Sequence, residues 1–175
     1  LSGIKNLPGL IITASHNPKE YTGMKFCNVG AVAIGQETGL KEIQKFAENF
    51  DDDFIISALP ERQTMNQLYL EHFKKIVNPS EISDKVKFSI DAGNGVLGAI
   101  IDDLSKTFNL NFEGLYMDVD GNFPNHPADP SDENNLLDLK DKVISQNLDF
   151  GVAFDGDADR SVFIDDKGNL ISGSL

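Results

Sequence analysis

Three aspartates at alternate positions, Asp155, Asp157 and Asp159, lie in the stretch FDGDADR, Phe154 to Arg160. In extended chain, alternate side chains point to one side. Carboxylates gathered in this way repel one another unless a cation sits among them. A set of ligands that are all oxygen favours a hard ion, Mg2+ or Ca2+. The plain alternative is a solvated acidic turn. Placement weighs against it, because the aspartates follow the apolar run Phe150 to Phe154, and open α/β sheets carry ligand sites beyond the carboxyl ends of their strands. An EF-hand loop needs glycine at its sixth position and glutamate at its twelfth; here those positions hold Arg160 and Asp166.

A second group opens near the start of the chain, in ITASHNPKEYTGMKF. The apolar run Leu10 to Ile12 ends in Thr13, Ala14, Ser15, His16, Asn17 and Pro18, and Lys25 follows ten residues after Ser15. A serine after a strand is commonly just a turn residue. Its neighbours give it more scope. His16 can donate or accept a proton, Asn17 can brace the turn, and Pro18 restricts Asn17 to extended conformations. Lys25 returns to the same place if residues 19–24 form a loop, with Gly23 easing the turn. There is no G-x-S-x-G elbow and no Ser-His-Asp order, so acyl transfer is weakly supported. Phosphoryl chemistry fits better: serine can carry the group, a hard cation can neutralise it, and lysine can assist by proton transfer or charge. A haloacid-dehalogenase-like phosphatase would instead use Asp155 as nucleophile beside Asp157, but only sixteen residues follow Asp159, too few for the rest of such a site.

Three further features are ambiguous. DAGNGVLG, Asp91 to Gly98, is a glycine-rich strand-to-helix turn. It could hold phosphate at a helix N-terminus, yet it lacks both G-x-G-x-x-G and the Walker lysine, and close packing of helix on strand explains its glycines. His126, in FPNHPADP, suits a structural or subunit-packing role as well as catalysis. His72 lies between core positions of a helix and reads as a surface residue.

These residues must be positioned by the elements around them. A strand over residues 7–14 leads into the Ser15 turn. Runs at 24–27 and 31–34 form a hairpin about Asn28-Val29-Gly30. Helical spacing of Leu40, Ile43, Phe46, Ala47 and Phe50 predicts a helix over about 38–50. The stretch from Asp51 to Pro60 is the natural boundary between two units. Beyond it, a helix through Met65 to Val77 stops before Asn78-Pro79, a strand covers 86–91, and Leu97, Ile100, Ile101, Leu104 and Phe108 predict one continuous helix. A strand over 112–117, a proline-rich loop, a helix through Leu136, Leu139 and Val143, and a strand over 150–154 follow. Ser161 to Ile164 and Asn169 to Ile171 form a terminal hairpin. Strands alternating with helices argue for an α/β fold with mixed, mostly parallel sheets and helices packed on them.

Composition limits the partners. The formal net charge of −13 excludes nucleic acid, which demands clustered Lys and Arg. No apolar run approaches the ~18 residues of a membrane span. Cys27 is the only cysteine, which fits a reducing, cytoplasmic compartment. The first residue is Leu1 and the last Leu175, and both ends read as cut from something longer.

Taken together, TASHNP with GMK downstream, DAGNGVLG, FPNHPADPSDENNL and DGDADR resemble the α-D-phosphohexomutase superfamily, closest to its phosphomannomutase/phosphoglucomutase branch. The resemblance runs the length of the chain. It implies one partial and one complete phosphohexomutase-type domain: residues 1–62 as the C-terminal part of domain 1, with the phosphoserine loop, and 63–175 as domain 2, with the metal-binding loop at its end. No GEMSG-like or RxSGTEP-like stretch occurs, so the sugar-reading and phosphate-clamping loops of later domains are absent. By the same resemblance Ser15 is the phosphoserine, and Mg2+ is held by Ser15, Asp155, Asp157 and Asp159. Lys25 is then the general acid/base, Arg160 contacts phosphate, and His16 shapes the serine site. The implied activity interconverts hexose 1-phosphate and 6-phosphate, mannose or glucose, through a hexose bisphosphate. The alternatives are the Asp155 phosphatase and a non-catalytic Mg2+- or phosphate-binding module. Two departures stand out: Thr22 replaces a common Asn, and the usual HxPDP order reads HPADP. Half a domain also leaves apolar faces uncovered, so self-association of the truncated chain and a non-turning-over fragment are expected.

Overall fold

The computed structural model describes residues 2–13, 20–51 and 61–173. These divide into two compact units, with the division between Met65 and Asn66. Among the described residues no helix is long and apolar enough to cross a membrane.

The first unit contains a short helix α1 (Ser2–Lys5), strands β1 (Gly9–Thr13), β2 (Gly23–Asn28) and β3 (Val32–Ala33), and helix α2 (Lys41–Glu48). The strands form an antiparallel sheet in the order β1-β2-β3. The β2–β3 hairpin expected about Asn28-Val29-Gly30 is present. The Asn28 side chain accepts the N–H of Val29, and Gly30 takes the left-handed φ of 77° that the turn requires. The expected helix over about 38–50 is shorter. Gly39 sits at φ 135°, which a continuous helix cannot contain, so regular α geometry begins only at Lys41. No described residue of this unit is buried, and Leu10, Ile11 and Ile12 of β1 stand exposed.

The second unit is layered. Helix α3 (Asn66–Ile76) precedes strand β4 (Phe88–Asp91); helix α4 (Ile101–Phe108) and strand β5 (Phe112–Leu115) follow. Then come helix α5 (Leu137–Gln146) and strands β6 (Phe150–Phe154), β7 (Ser161–Asp165) and β8 (Leu170–Ile171). The sheet order is β5-β4-β6-β7-β8. It is mixed, but its parallel part is smaller than the alternation of elements implied: β5, β4 and β6 run parallel, while β6, β7 and β8 pair antiparallel.

Period-two alternation splits the core between the two faces of the sheet. Ile90 and Val152 point to one side with Leu97 and Ile101. Ala153 and Ile164 point to the other with Leu136, Leu139 and Val143 of the α5 layer. Each fully buried aliphatic side chain stabilises the fold by roughly 1.5–3 kcal/mol. Gly151 sets the spacing of α5, because a Cβ there would lie 2.8 Å from Ile164 Cγ1 and 2.9 Å from Val143 Cγ2. Helices α4 and α5 both end at an asparagine in the left-handed conformation, Asn109 and Asn147, a common helix stop. His72 is exposed on α3.

The continuous helix expected from Leu97 to Phe108 is broken. Val96–Ala99 forms a single 3-10 turn, Ile100 leaves helical geometry, and α4 starts at Ile101. The cause lies in the loop after β5. A Cβ on Gly98 would sit 1.8 Å from the Met117 carbonyl oxygen, so the turn is wedged against the loop after β5. Gly98→Ala is therefore expected to destabilise the chain by about 3 kcal/mol or more, read as a lower midpoint in urea unfolding.

Candidate active site

Strand β6 pairs with β7 as far as Phe154 and Ser161, so residues 155–160 are the loop of a hairpin. The loop closes on itself. Asp155 N donates to the Arg160 carbonyl at 3.2 Å, and Ala158 N donates to the Asp155 carbonyl at 3.1 Å. Ala158 takes φ 58° and packs against the apolar cluster around Ile90 and Leu97, which leaves Asp157 and Asp159 at the rim. Asp155, Asp157 and Asp159 each offer one carboxylate oxygen, and these lie within 4.8 Å of one another.

The three carboxylates differ in environment. Asp155 is 2 % exposed. Its Oδ1 accepts Arg160 N at 3.0 Å and its Oδ2 accepts Arg160 Nε at 2.8 Å. Burial pushes its pKa up, but the bonds and charge of Arg160 win, and the net shift is downward. Asp157 Oδ1 is buried without a hydrogen-bond partner. Asp159 is exposed and held above its ordinary value, chiefly by repulsion from Asp157. A buried, unpartnered carboxylate oxygen beside like charges is the donor set of a hard cation. Opposite ligands of Mg2+ or Ca2+ stand roughly 4–5 Å apart, so the hairpin needs little movement to fit one.

The loop is braced by its neighbours. Val96 N donates to the Gly156 carbonyl at 3.0 Å. Gly95 lies so close that a Cβ would be 2.9 Å from that oxygen. The glycines of DAGNGVLG thus permit close packing. The arrangement follows from the parallel β4–β6 register, Asp91 beside Ala153, which brings the two strand ends together.

Residues 67–168 match the family described as phosphoglucomutase/phosphomannomutase, alpha/beta/alpha domain II, and residues 3–53 match its alpha/beta/alpha domain I. The chain belongs to the phosphoglucomutase/phosphomannomutase family. It is 36% identical over 163 residues to the phosphomannomutase/phosphoglucomutase of Pseudomonas aeruginosa, covering 93% of this chain and 34% of that protein. It is 37% identical over 163 residues to the phosphoglucomutase of Neisseria meningitidis, covering 93% and 35%. Among solved structures, a phosphoglucomutase/phosphomannomutase family protein of Burkholderia thailandensis matches with TM-score 0.72 and 31% identity, over 94% of this chain and 34% of that one. The chain thus spans about a third of the length of these family members.

Of the residues singled out from the sequence, Asp155, Asp157, Asp159 and Arg160 lie in one loop, between β6 and β7. Lys25 lies on β2, exposed, paired with Ile11 of β1 and two residues beyond the Thr13–Gly23 pair. Ser15 and His16 lie outside the described residues. The Arg160 side chain is 44% exposed, with Nη1 3.8 Å from Asp129 Oδ1. Asp91 and Asp129 went unnoticed as site residues. A buried aspartate closing a strand was the available signal for Asp91.

Proposed function

We propose that this chain supplies the phosphoserine and metal loops of a longer phosphohexomutase that interconverts hexose 1-phosphate and hexose 6-phosphate, of mannose or glucose. In this reading Ser15 carries the phosphoryl group and transfers it to the free hydroxyl of the sugar monophosphate. The resulting hexose bisphosphate turns round, and its other phosphate returns to Ser15. Lys25 takes the proton from the attacking hydroxyl and gives it back in the reverse step. Arg160 presents its outer guanidinium nitrogens to phosphate, and His16 shapes the serine turn. Mg2+ would be held by Asp155, Asp157 and Asp159 with an oxygen carried on Ser15, and would supply charge neutralisation to the transferring group. The single cysteine and the phosphorylated-sugar chemistry fit the cytoplasm.

The carrying observation is the aspartate hairpin, with three carboxylates converging and the buried Asp157 Oδ1 unpartnered. The phosphatase alternative is disfavoured by the same hairpin. Its nucleophile would be Asp155, which is 2 % exposed and has both oxygens engaged by Arg160. A lone pair can still reach an ion there, but a phosphorus atom needs open, in-line access.

The test is mass spectrometry of the longer protein after treatment with a hexose bisphosphate. A hydroxylamine-stable phosphate on Ser15 is expected. A hydroxylamine-labile acyl phosphate on Asp155 would establish the phosphatase, and no covalent phosphate at all would leave a binding module. The 175-residue chain alone should show background mutase activity, since positioning by the missing loops can contribute up to ~7–11 kcal/mol. The exposed apolar residues of the first unit support self-association of this chain, which light scattering would detect.

A further inference from the structure

The glycine turn after β4 and the proline-rich segment 123–130 have no part in the transfer just described. Their side chains meet at Asp91 and His126. Asp91 is fully buried at the end of β4. Its Oδ1 accepts Gly93 N at 2.8 Å, and its Oδ2 lies 3.0 Å from His126 Nε2. On the far side of the ring, His126 Nδ1 lies 2.8 Å from the Pro127 carbonyl oxygen. A carbonyl can only accept, so Nδ1 carries a hydrogen. Nε2 and Oδ2 then share one more proton, either as imidazolium with carboxylate or as imidazole with carboxyl. Both forms make every bond and leave the pair neutral. Tyr116 closes on the ring edge-to-face at 5.2 Å between centroids, and its hydroxyl donates to Asp138. With its side chain 14% exposed and both ring nitrogens engaged, His126 has no free nitrogen for a reacting group.

The pair joins β4 to a segment that touches the aspartate hairpin on both sides of His126. A Cβ on Gly156 would meet Phe123 Cζ at 3.6 Å and Ala128 Cβ at 3.8 Å. Asp129 Oδ1 lies 3.8 Å from Arg160 Nη1. Asp129 is itself fixed by the Ser131 hydroxyl at 2.7 Å, and its carbonyl by Asn135 Nδ2 at 2.7 Å. Asn125 Nδ2 donates to Asn94 Oδ1 at 2.8 Å, a second tie between the segment and the glycine turn.

We propose that His126 is a positioning residue: by clipping the proline-rich segment to Asp91, it holds Phe123, Ala128 and Asp129 against Gly156 and Arg160 and so sets the shape of the aspartate hairpin. The consequence for metal rests on the Mg2+ reading above; the consequence for Arg160 does not.

The experiment therefore reads both on the 175-residue chain, with circular dichroism to confirm folding. Nitrogen-15 spectra follow hydrogen exchange at Arg160 Nε, and calorimetric titration follows Mg2+ alone. In folded His126→Ala, exchange at Arg160 Nε is expected to speed up about tenfold, and Mg2+ to bind about tenfold more weakly. His126→Gln, whose amide can donate to Asp91, should stay near wild type in both. A general loss of stability would lower the melting temperature of both variants without separating them in this way. Unchanged Arg160 exchange in folded His126→Ala overturns the proposal. If His126→Ala fails to fold, Asp129→Ala decides, because it leaves the His126–Asp91 pair intact: faster exchange supports the proposal and unchanged exchange overturns it. If the wild-type chain binds no Mg2+, the metal reading falls and the Arg160 signal alone judges His126.

Discussion

Ser15→Ala in the proposed full-length enzyme is expected to abolish phosphoryl transfer, with a fall in kcat of at least about 10^4-fold, because removal of a nucleophile deletes a covalent step that binding cannot replace. The variant should still bind hexose phosphate and Mg2+ and should carry no phosphate after exposure to a hexose bisphosphate. Lys25→Ala should be milder, about 10^2- to 10^4-fold, since it removes proton transfer and leaves the acceptor in place. A coupled mutase assay checks both. Substantial turnover by Ser15→Ala would move the phosphoryl acceptor elsewhere and take the mutase chemistry with it.

Asp157→Asn is expected to have two effects of opposite sign. Mg2+ affinity should drop by more than about 100-fold, because losing a ligand costs more than losing a partner of a ligand. Without metal, the variant should melt above wild type. Asp157 is the main source of the repulsion that holds Asp159 above its ordinary pKa, and its buried Oδ1 lacks a partner. Neutralising it removes that repulsion and the cost of burying part of a charge. Calorimetric titration and thermal melting in chelator test the pair. A solvated acidic turn would show no change in Mg2+ affinity, and that result would end the metal reading of this hairpin.

Strand β6 and the β7–β8 hairpin were legible because their signals are local: an apolar run bounded by Asp155, and a turn at Asp166-Lys167-Gly168. The spacing of Asp155, Asp157 and Asp159 likewise marked the three carboxylates that the hairpin gathers. What was illegible depends on contacts distant in sequence. The break before α4 is caused by the Met117 carbonyl pressing on Gly98, and no periodicity in Leu97 to Phe108 records it. The parallel share of the sheets was overestimated for a related reason. Strands β1, β2 and β3 follow one another without a described crossover helix and pair antiparallel. The bond from Arg160 Nε to Asp155 also went unread, because it forms only when the hairpin closes. The His126–Asp91 contact spans 35 residues with no recurring pattern, so only the fold reveals it.

The parallel register of β4 and β6 also bears on how the chain assembles its candidate ion site in time. The β6–β7 hairpin joins residues near in sequence and needs little loop closure. The β4–β6 pairing must bring together positions such as Lys87 and Asp149, which are 62 residues apart. Long closures of this kind are slow, and their entropy must be met before the contacts reward it. The acidic turn can therefore form before the glycine loop that supports Gly156 arrives beside it. An ion that needs the finished seat adds its binding energy only to the native chain. Such an ion prolongs the life of the folded protein by slowing its unfolding and leaves the rate of folding unchanged.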